Sequence, residues 1–451
     1  MKAPGHLRIG CGAAFSDDRI APAVDLAEQG ELDVLVFECL AERTTARENL
    51  SRLKNPDKGY APRMLERMGA VLPACAARGI KIISNMGAAN PGAAGKVFAQ
   101  YLREHGHAGL RCAVVEGDDV SEILRRQPQL PIMETGAPLE SLLPRMVSGN
   151  AYLGADAIVR ALATGAQFVI TGRVADPSLF VAAALHHYGW SYDDWARLAQ
   201  ATALGHLLEC GAQVSGGCFA EPEGRKFVPD MARLGFPYAD IDAAGQVWIS
   251  KLESAGGRVD FHTCAEQLLY EIHDPAAYIT PDCVLDITGL AMAQDGANRV
   301  RVSGARSAPR TPSYKVTVGY HDGYIGEGQI TYAGSNAVAK ARWAAEIIRQ
   351  RLADRGFSYS EERIDLIGMS SMHRAAEIRP EPYEVRLRLA LRTTDRAAAE
   401  AVGFETRAMH VNGPGSGGGG SDPVVKEVLA VQSVLLPRAL VDPQVRIGVF
   451  E

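Results

Sequence analysis

His206, Glu209 and Cys210 fall at i, i+3 and i+4 in the stretch HLLECGAQVSGGCF. On a helix that spacing stacks an imidazole, a carboxyl group and a thiol on one face. Such a set can move protons, and an elimination needs a base near the α-proton and an acid near the leaving hydroxyl. Leu204, Leu207 and Leu208 give the same helix an apolar face on its other side, and glycines follow at once. Two readings satisfy this spacing: an active-site edge, or a helix end packed at a domain junction. One helix supplies at most three ligands and no fourth is apparent, so no metal site is expected here.

Other chemistry-bearing residues follow short apolar runs. TGRVADPS supplies Arg173, suited to bidentate carboxylate or phosphate binding, and Asp176, placed to cap the next helix. The alternative is an internal Arg–Asp pair. SNMGAANPGAAG holds Asn85, Gly87 and Asn90 before a proline. Its N–H groups form either an anion cradle or a tight turn with Asn90 as cap. It does not match G-x-G-x-x-G, and the chain has no Walker lysine pattern. In EGDD, Asp118 can cap a helix or join Glu116 and Glu38 around a divalent cation. Capping is the expectation, because hard cations want more oxygens than these three acids offer. Lys251 precedes Gly256 and Gly257, which reads as a second anion cradle. NGPGSGGGGSDP carries six glycines, Gly415 and Gly417 among them, and reads as a linker or as a backbone cradle. Glu327 sits between glycines and reads as a turn carboxylate.

The elements that must position these groups change character along the chain. In the first half, LRIGCG, DVLVFE, KIISN, RCAVVEG and QFVITG are short, apolar on both faces, and each is followed by a helix. That pattern predicts a parallel, Rossmann-like sheet covered on both sides, with ligands at the carboxyl ends of its strands. The second half reads as α+β with a mixed or antiparallel sheet. There KVTVGYHDG and GQITYAG look like antiparallel strands about a turn at YHDGYIG. The expected division is an N-terminal α/β domain over 1–220 and a C-terminal α+β domain over 221–451.

A chain of 451 residues is long for one core, which supports two domains. A formal charge of −6 and no basic run argue against a nucleic-acid platform. The eight cysteines are scattered without zinc spacing, as reduced thiols would be. There is no signal-peptide pattern and no long apolar run, so a cytoplasmic location without a membrane partner is expected.

RIGCGAAFSDDR, GIKIISNMGAANPGAAG, AVVEGDD, ITGRVADPSL, GHLLECGAQVSGGCF, SKLESAGG, YIGEGQITYAG and NGPGSGGGG occur in that order. Together they resemble the acyclic terpene utilisation family of the AtuA type across nearly the whole chain. Two positions depart from the family pattern: AGG stands where a fuller glycine turn with threonine is usual, and Asp17–Asp18 where a glycine is usual. The resemblance implies a place in the breakdown of branched or unsaturated acids as coenzyme A thioesters. It also implies a small C-terminal domain, which after VRIGVFE is expected as a separate partner polypeptide.

The expected function is therefore a hydro-lyase or hydratase. It would act on an unsaturated or hydroxylated carboxylic acid or its acyl-CoA thioester. Glu209, His206 and Cys210 would move protons. Arg173, Asp176, the asparagines and the glycine turns would hold the ligand. No cofactor is expected beyond the conditional cation. Further copies of the chain are expected as partners. The alternatives are a non-catalytic acid- or acyl-CoA-binding subunit and an acyl or phosphoryl transferase.

Overall fold

The computed structural model describes residues 2–373 and 381–451. Six strands come first: β1 (Leu7–Ala13), β2 (Val34–Phe37), β3 (Lys81–Ser84), β4 (Cys112–Glu116), β5 (Met146–Ala151) and β6 (Phe168–Thr171). Five of them form a parallel sheet in the order β1-β2-β3-β6-β4. Nearly every residue in these strands is buried, as expected of runs apolar on both faces. On one face Phe37, Ile82 and Phe168 pack on Leu26, Met68 and Phe98 from flanking helices.

The sheet continues beyond its parallel centre. Strand Pro237–Ile241 pairs antiparallel with β1, and Val247–Lys251 and Arg299–Ser303 extend that edge. At the other edge Arg446–Phe450 pairs antiparallel with β4. QDGAN makes the expected hairpin turn between Ala291–Gln294 and Arg299–Ser303, with Gly296 and Asn298 both at positive φ.

The chain divides into two compact units: residues 1–319 with 431–451, and residues 320–430. Residue 220, where composition placed a boundary, lies inside the first unit. The second unit is an antiparallel sheet carrying two helices, Ala337–Asp354 and Arg396–Asn412. Ile330, Tyr332, Leu387, Leu389 and Leu391 pack against those helices through Ala341, Ile348 and Val402.

The turn expected at YHDGYIG is absent. Residues Ser313–Ala333 form one continuous strand, whose later part pairs with Glu384–Thr393. Gly323 has φ +82, and a Cβ there would sit 2.4 Å from the carbonyl of Thr393. The glycine thus bends the strand at a close backbone approach instead of reversing it. No helix among the described residues is long and apolar enough to cross a membrane.

Candidate functional site

The carboxyl ends of the parallel strands deliver several charged groups to one place. Glu38 follows β2, Asn85 follows β3, and Arg173 lies two residues beyond β6. Arg173 is 1% exposed. Its Nε donates to the carbonyl of Val174 at 2.8 Å, and its Nη atoms donate to Leu40 O and to the Asp176 carboxylate. The guanidinium lies 4.3 Å from the centre of the Tyr152 ring. Its backbone N–H donates to Asp118 Oδ2 at 2.9 Å, and Asn150 Nδ2 donates to the same oxygen at 2.8 Å. Gly172 permits this approach, since a Cβ there would fall 2.3 Å from Asp118 Oδ1.

One buried cation therefore serves several acids. Glu38 Oε1 accepts from Asn85 Nδ2 at 2.9 Å and from Leu40 N at 2.8 Å. Burial, and then the charge of Asp176, still push Glu38 up to about 8, against the pull of Arg173. Burial likewise raises Asp176 despite its contact with Arg173. Its side chain nevertheless keeps 35% of its surface open to water. Burial alone would raise Glu42. The hydrogen bond from Tyr152 Oη at 2.6 Å and the charge of Arg173 outweigh it and hold Glu42 at about 2.

The helix Trp195–Glu209 brings His206 and Glu209. Asp194 caps its start, accepting from Arg197 N at 3.2 Å. The face opposite the leucines is covered as well. His206 and Glu209 are buried along with Leu204, Leu207 and Leu208, because residues 267–278 cover their side. Gln267 Nε2 donates to His206 O at 2.8 Å, and the Tyr278 ring centre lies 5.2 Å from that of His206. His206 Nε2 is 3.1 Å from Leu268 O and Nδ1 is 2.9 Å from Glu209 Oε1.

These contacts set the protons. A carbonyl only accepts, so Nε2 carries hydrogen. Burial lowers His206 to about 4, so the ring is neutral and Nδ1 is an acceptor. Burial, then Asp176 and Glu271, hold Glu209 well above the usual carboxylate range. The pair is thus Glu209 Oε1–H donating to His206 Nδ1. Glu209 Oε2 is buried with no partner, an atom that ordinary packing leaves bonded. Burial and Glu209 push the Cys210 thiol up, so it stands beside the pair as a neutral thiol and not as a thiolate base.

Several other expected ligand groups are occupied by the chain itself. Asn90 does cap its helix, at 3.4 Å from Ala93 N, and its Nδ2 donates to Pro56 O and Lys58 O. The N–H groups of Ala88 and Asn90 close turns onto Asn85 O and Gly87 O, that of Ala89 donates to Gly59 O, and a Cβ at Gly87 would press on Thr171 O. The cradle expected at Lys251 is closed. Lys251 Nζ donates to Leu252 O and Ala255 O, while the N–H groups of Gly256 and Gly257 donate to Arg233 O and Pro229 O. Gly415 and Gly417 belong to the second unit, where Gly417 pairs with Tyr332. Among the described residues no three His, Cys, Asp or Glu side chains are grouped to hold a metal. The conditional cation site at Glu38, Glu116 and Asp118 is thereby overturned. Asp118 spends Oδ2 on Asn150 and Arg173, and Glu116 Oε1 instead faces Gly92.

Sequence reasoning passed over Glu42, Tyr152, Glu271 and Tyr278. Only Glu42 left a signal, four residues after Glu38 at the carboxyl end of a strand.

The chain is a mixed α/β protein with buried acids and Arg173 at the ends of its central parallel strands and a buried histidine–glutamate pair on a helix. The chain belongs to the acyclic terpene utilisation family AtuA, whose model matches residues 7–447. No curated protein gives a sequence match.

Proposed function

We propose that this chain is a hydro-lyase or hydratase acting on an unsaturated or hydroxylated acyl compound, the coenzyme A thioester in preference to the free acid. The observation that carries this reading is Glu209: a buried carboxyl, hydrogen-bonded to a neutral histidine through one oxygen and unpartnered at the other. In the dehydration direction Glu209 Oε2 takes the α-proton while the proton on Oε1 passes to His206 Nδ1. The pair gains one positive charge, which the neighbouring Glu271 favours. Asp176, whose carboxyl burial raises and whose side chain is partly exposed, is assigned the proton that the leaving hydroxyl takes as it departs as water. Hydration runs these transfers backwards.

Arg173 acts here through its fixed charge, since Leu40, Val174 and Asp176 take its donors. Negative charge developing on the substrate carbonyl is stabilised by that cation. A free carboxylate would add a further anion beside the ionised Glu42, which favours the uncharged thioester carbonyl. Asn85 holds Glu38, and Cys210 fills space as a neutral thiol.

The test is turnover of a panel of 3-hydroxyacyl and 2,3-unsaturated thioesters by the purified chain, followed by the absorbance of the conjugated thioester. Glu209→Gln and His206→Ala should each abolish most of the rate. Unchanged turnover in both sinks the mechanism. Binding without turnover by the chain alone supports an acyl-binding subunit that works with a partner.

A further inference from the structure

The acid cluster occupies the carboxyl edge of the parallel sheet. A cavity of about 330 Å³ lies at the opposite edge, beside Leu7, Val34 and Lys81, which open β1, β2 and β3. Its polar wall consists of Asp33, Arg78, Lys81, His186 and His187. Leu7, Leu162 and Ala183 give it an apolar wall.

The charges on this wall do not cancel. Asp33 is already met by Lys2 Nζ, at 2.6 and 2.7 Å, and by Arg8 N at 2.8 Å. Arg78 lies in the last turn of the helix Met64–Arg78, and its guanidinium donates to Glu28 O. His186 and His187 lie in the last turn of the helix Asp176–Tyr188. Bases at these positions offset the partial negative charge of helix carboxyl ends. Lys81 is different, because it belongs to neither helix. Its Nζ is 3.4 Å from His186 Nε2, and among the described residues it forms no ion pair. Burial, then Lys81 itself, lower His186, so the imidazole is neutral and accepts from the ammonium. One ammonium is left over, presented beside an apolar wall.

We propose that this cavity is a second ligand site, which binds a small organic monocarboxylate with Lys81 as its charged anchor and its aliphatic part against Leu7, Leu162 and Ala183. A volume near 330 Å³ with a charged wall facing an apolar one suits a small molecule that has a carboxylate at one end and a short aliphatic part at the other. The apolar wall beside the Lys81 ammonium suits an aliphatic carboxylate better than inorganic phosphate. The site stands independently of the hydro-lyase reading, because none of its residues belongs to the acid cluster.

Hexanoate is the probe, titrated into the full chain while the imidazole signals of His186 and His187 are followed by NMR. Both signals should shift saturably. Lys81→Met should weaken binding about tenfold or more, the loss expected for a hydrogen bond to a charged group. Lys81→Arg and Glu209→Gln should leave it intact. Absence of a shift, an unchanged affinity in Lys81→Met, or hexan-1-ol binding as well as hexanoate would overturn the proposal. Tighter binding of inorganic phosphate than of hexanoate would overturn the ligand class. If Lys81→Met does not fold, Lys81→Gln and the comparison of hexanoate with hexan-1-ol decide.

Discussion

The two units each carry a network of acids and bases, and the networks differ in kind. On the sheet of the second unit, Arg388 donates to Glu327 at 2.8 Å and to Asp365 at 2.9 Å, with Lys426 and Arg363 as further partners. The Arg388 hydrogen bond, outweighing burial, holds Glu327 at about 2. Every acid there has a cation within reach. In the first unit Arg173 is the one buried cation facing Glu38, Glu42 and Asp176, Lys315 at the surface reaches Glu42 alone, and Glu209 lies near enough to be raised by Asp176. Burial, then the charge of Asp176, raises Glu38 to about 8 against the pull of that one cation. A balanced network fixes its charges and holds a sheet together. A network short of cations keeps protons on its carboxyls at neutral pH, and those protons are available for chemistry.

Substitutions should affect the two networks differently. The largest effect is expected at Glu209→Gln, which keeps the shape but removes the acid. Turnover should fall by about 10²–10⁴-fold, the usual worth of a general acid–base group, with the melting temperature little changed. Equal loss of turnover and of folding would make Glu209 structural.

Next comes Arg173→Met. Taking the only buried cation away from its partners should cost about 3 kcal/mol in denaturant unfolding. A loss well under 1 kcal/mol would show that the acids simply keep their protons and do not need it.

Glu38→Gln should change the shape of the pH–stability curve. Glu38 is raised from 4.5 to about 8 on folding. Its stabilising contribution is therefore complete below 4.5 and is lost as pH rises through about 8. Unfolding of Glu38→Gln should show less alkaline loss across that window than the unmodified chain. Parallel curves would refute the shift.

The smallest effect belongs to Glu327→Gln in the balanced network, about 1 kcal/mol or less as for partly exposed ion pairs. Its sign is opposite: Glu327 is lowered from 4.5 to about 2, so its contribution is present above 4.5 and lost as pH falls through about 2. Acid titration of the variant checks it.

Much of this was legible in the residues. The five parallel strands are apolar on both faces, and that pattern has few other uses. The rule that ligand-facing groups gather at strand carboxyl ends led to Asn85, Arg173 and Asp176, and the helical spacing led to His206 and Glu209. The antiparallel additions to the sheet were not legible, because the pairing of Leu7 with Ile241 joins segments far apart in sequence. Nor was the fate of Arg173. Its donors meet Leu40 and Val174 carbonyls, and backbone acceptors leave no mark in side-chain chemistry. YHDGYIG misled because a glycine at positive φ serves a bend as well as a reversal.

The pairing of Arg446–Phe450 with β4 has a consequence for synthesis. Cys112–Glu116 leaves the ribosome early, while its outer neighbour is translated only after the whole second unit. Until then β4 presents an unpaired row of amide and carbonyl groups, the kind of edge that recruits other chains. Phe450 also reaches the core beside Gly95, where a Cβ would come 2.8 Å from its ring. The nascent first unit must therefore wait with one side open, and a holdase chaperone would find its target along that strand.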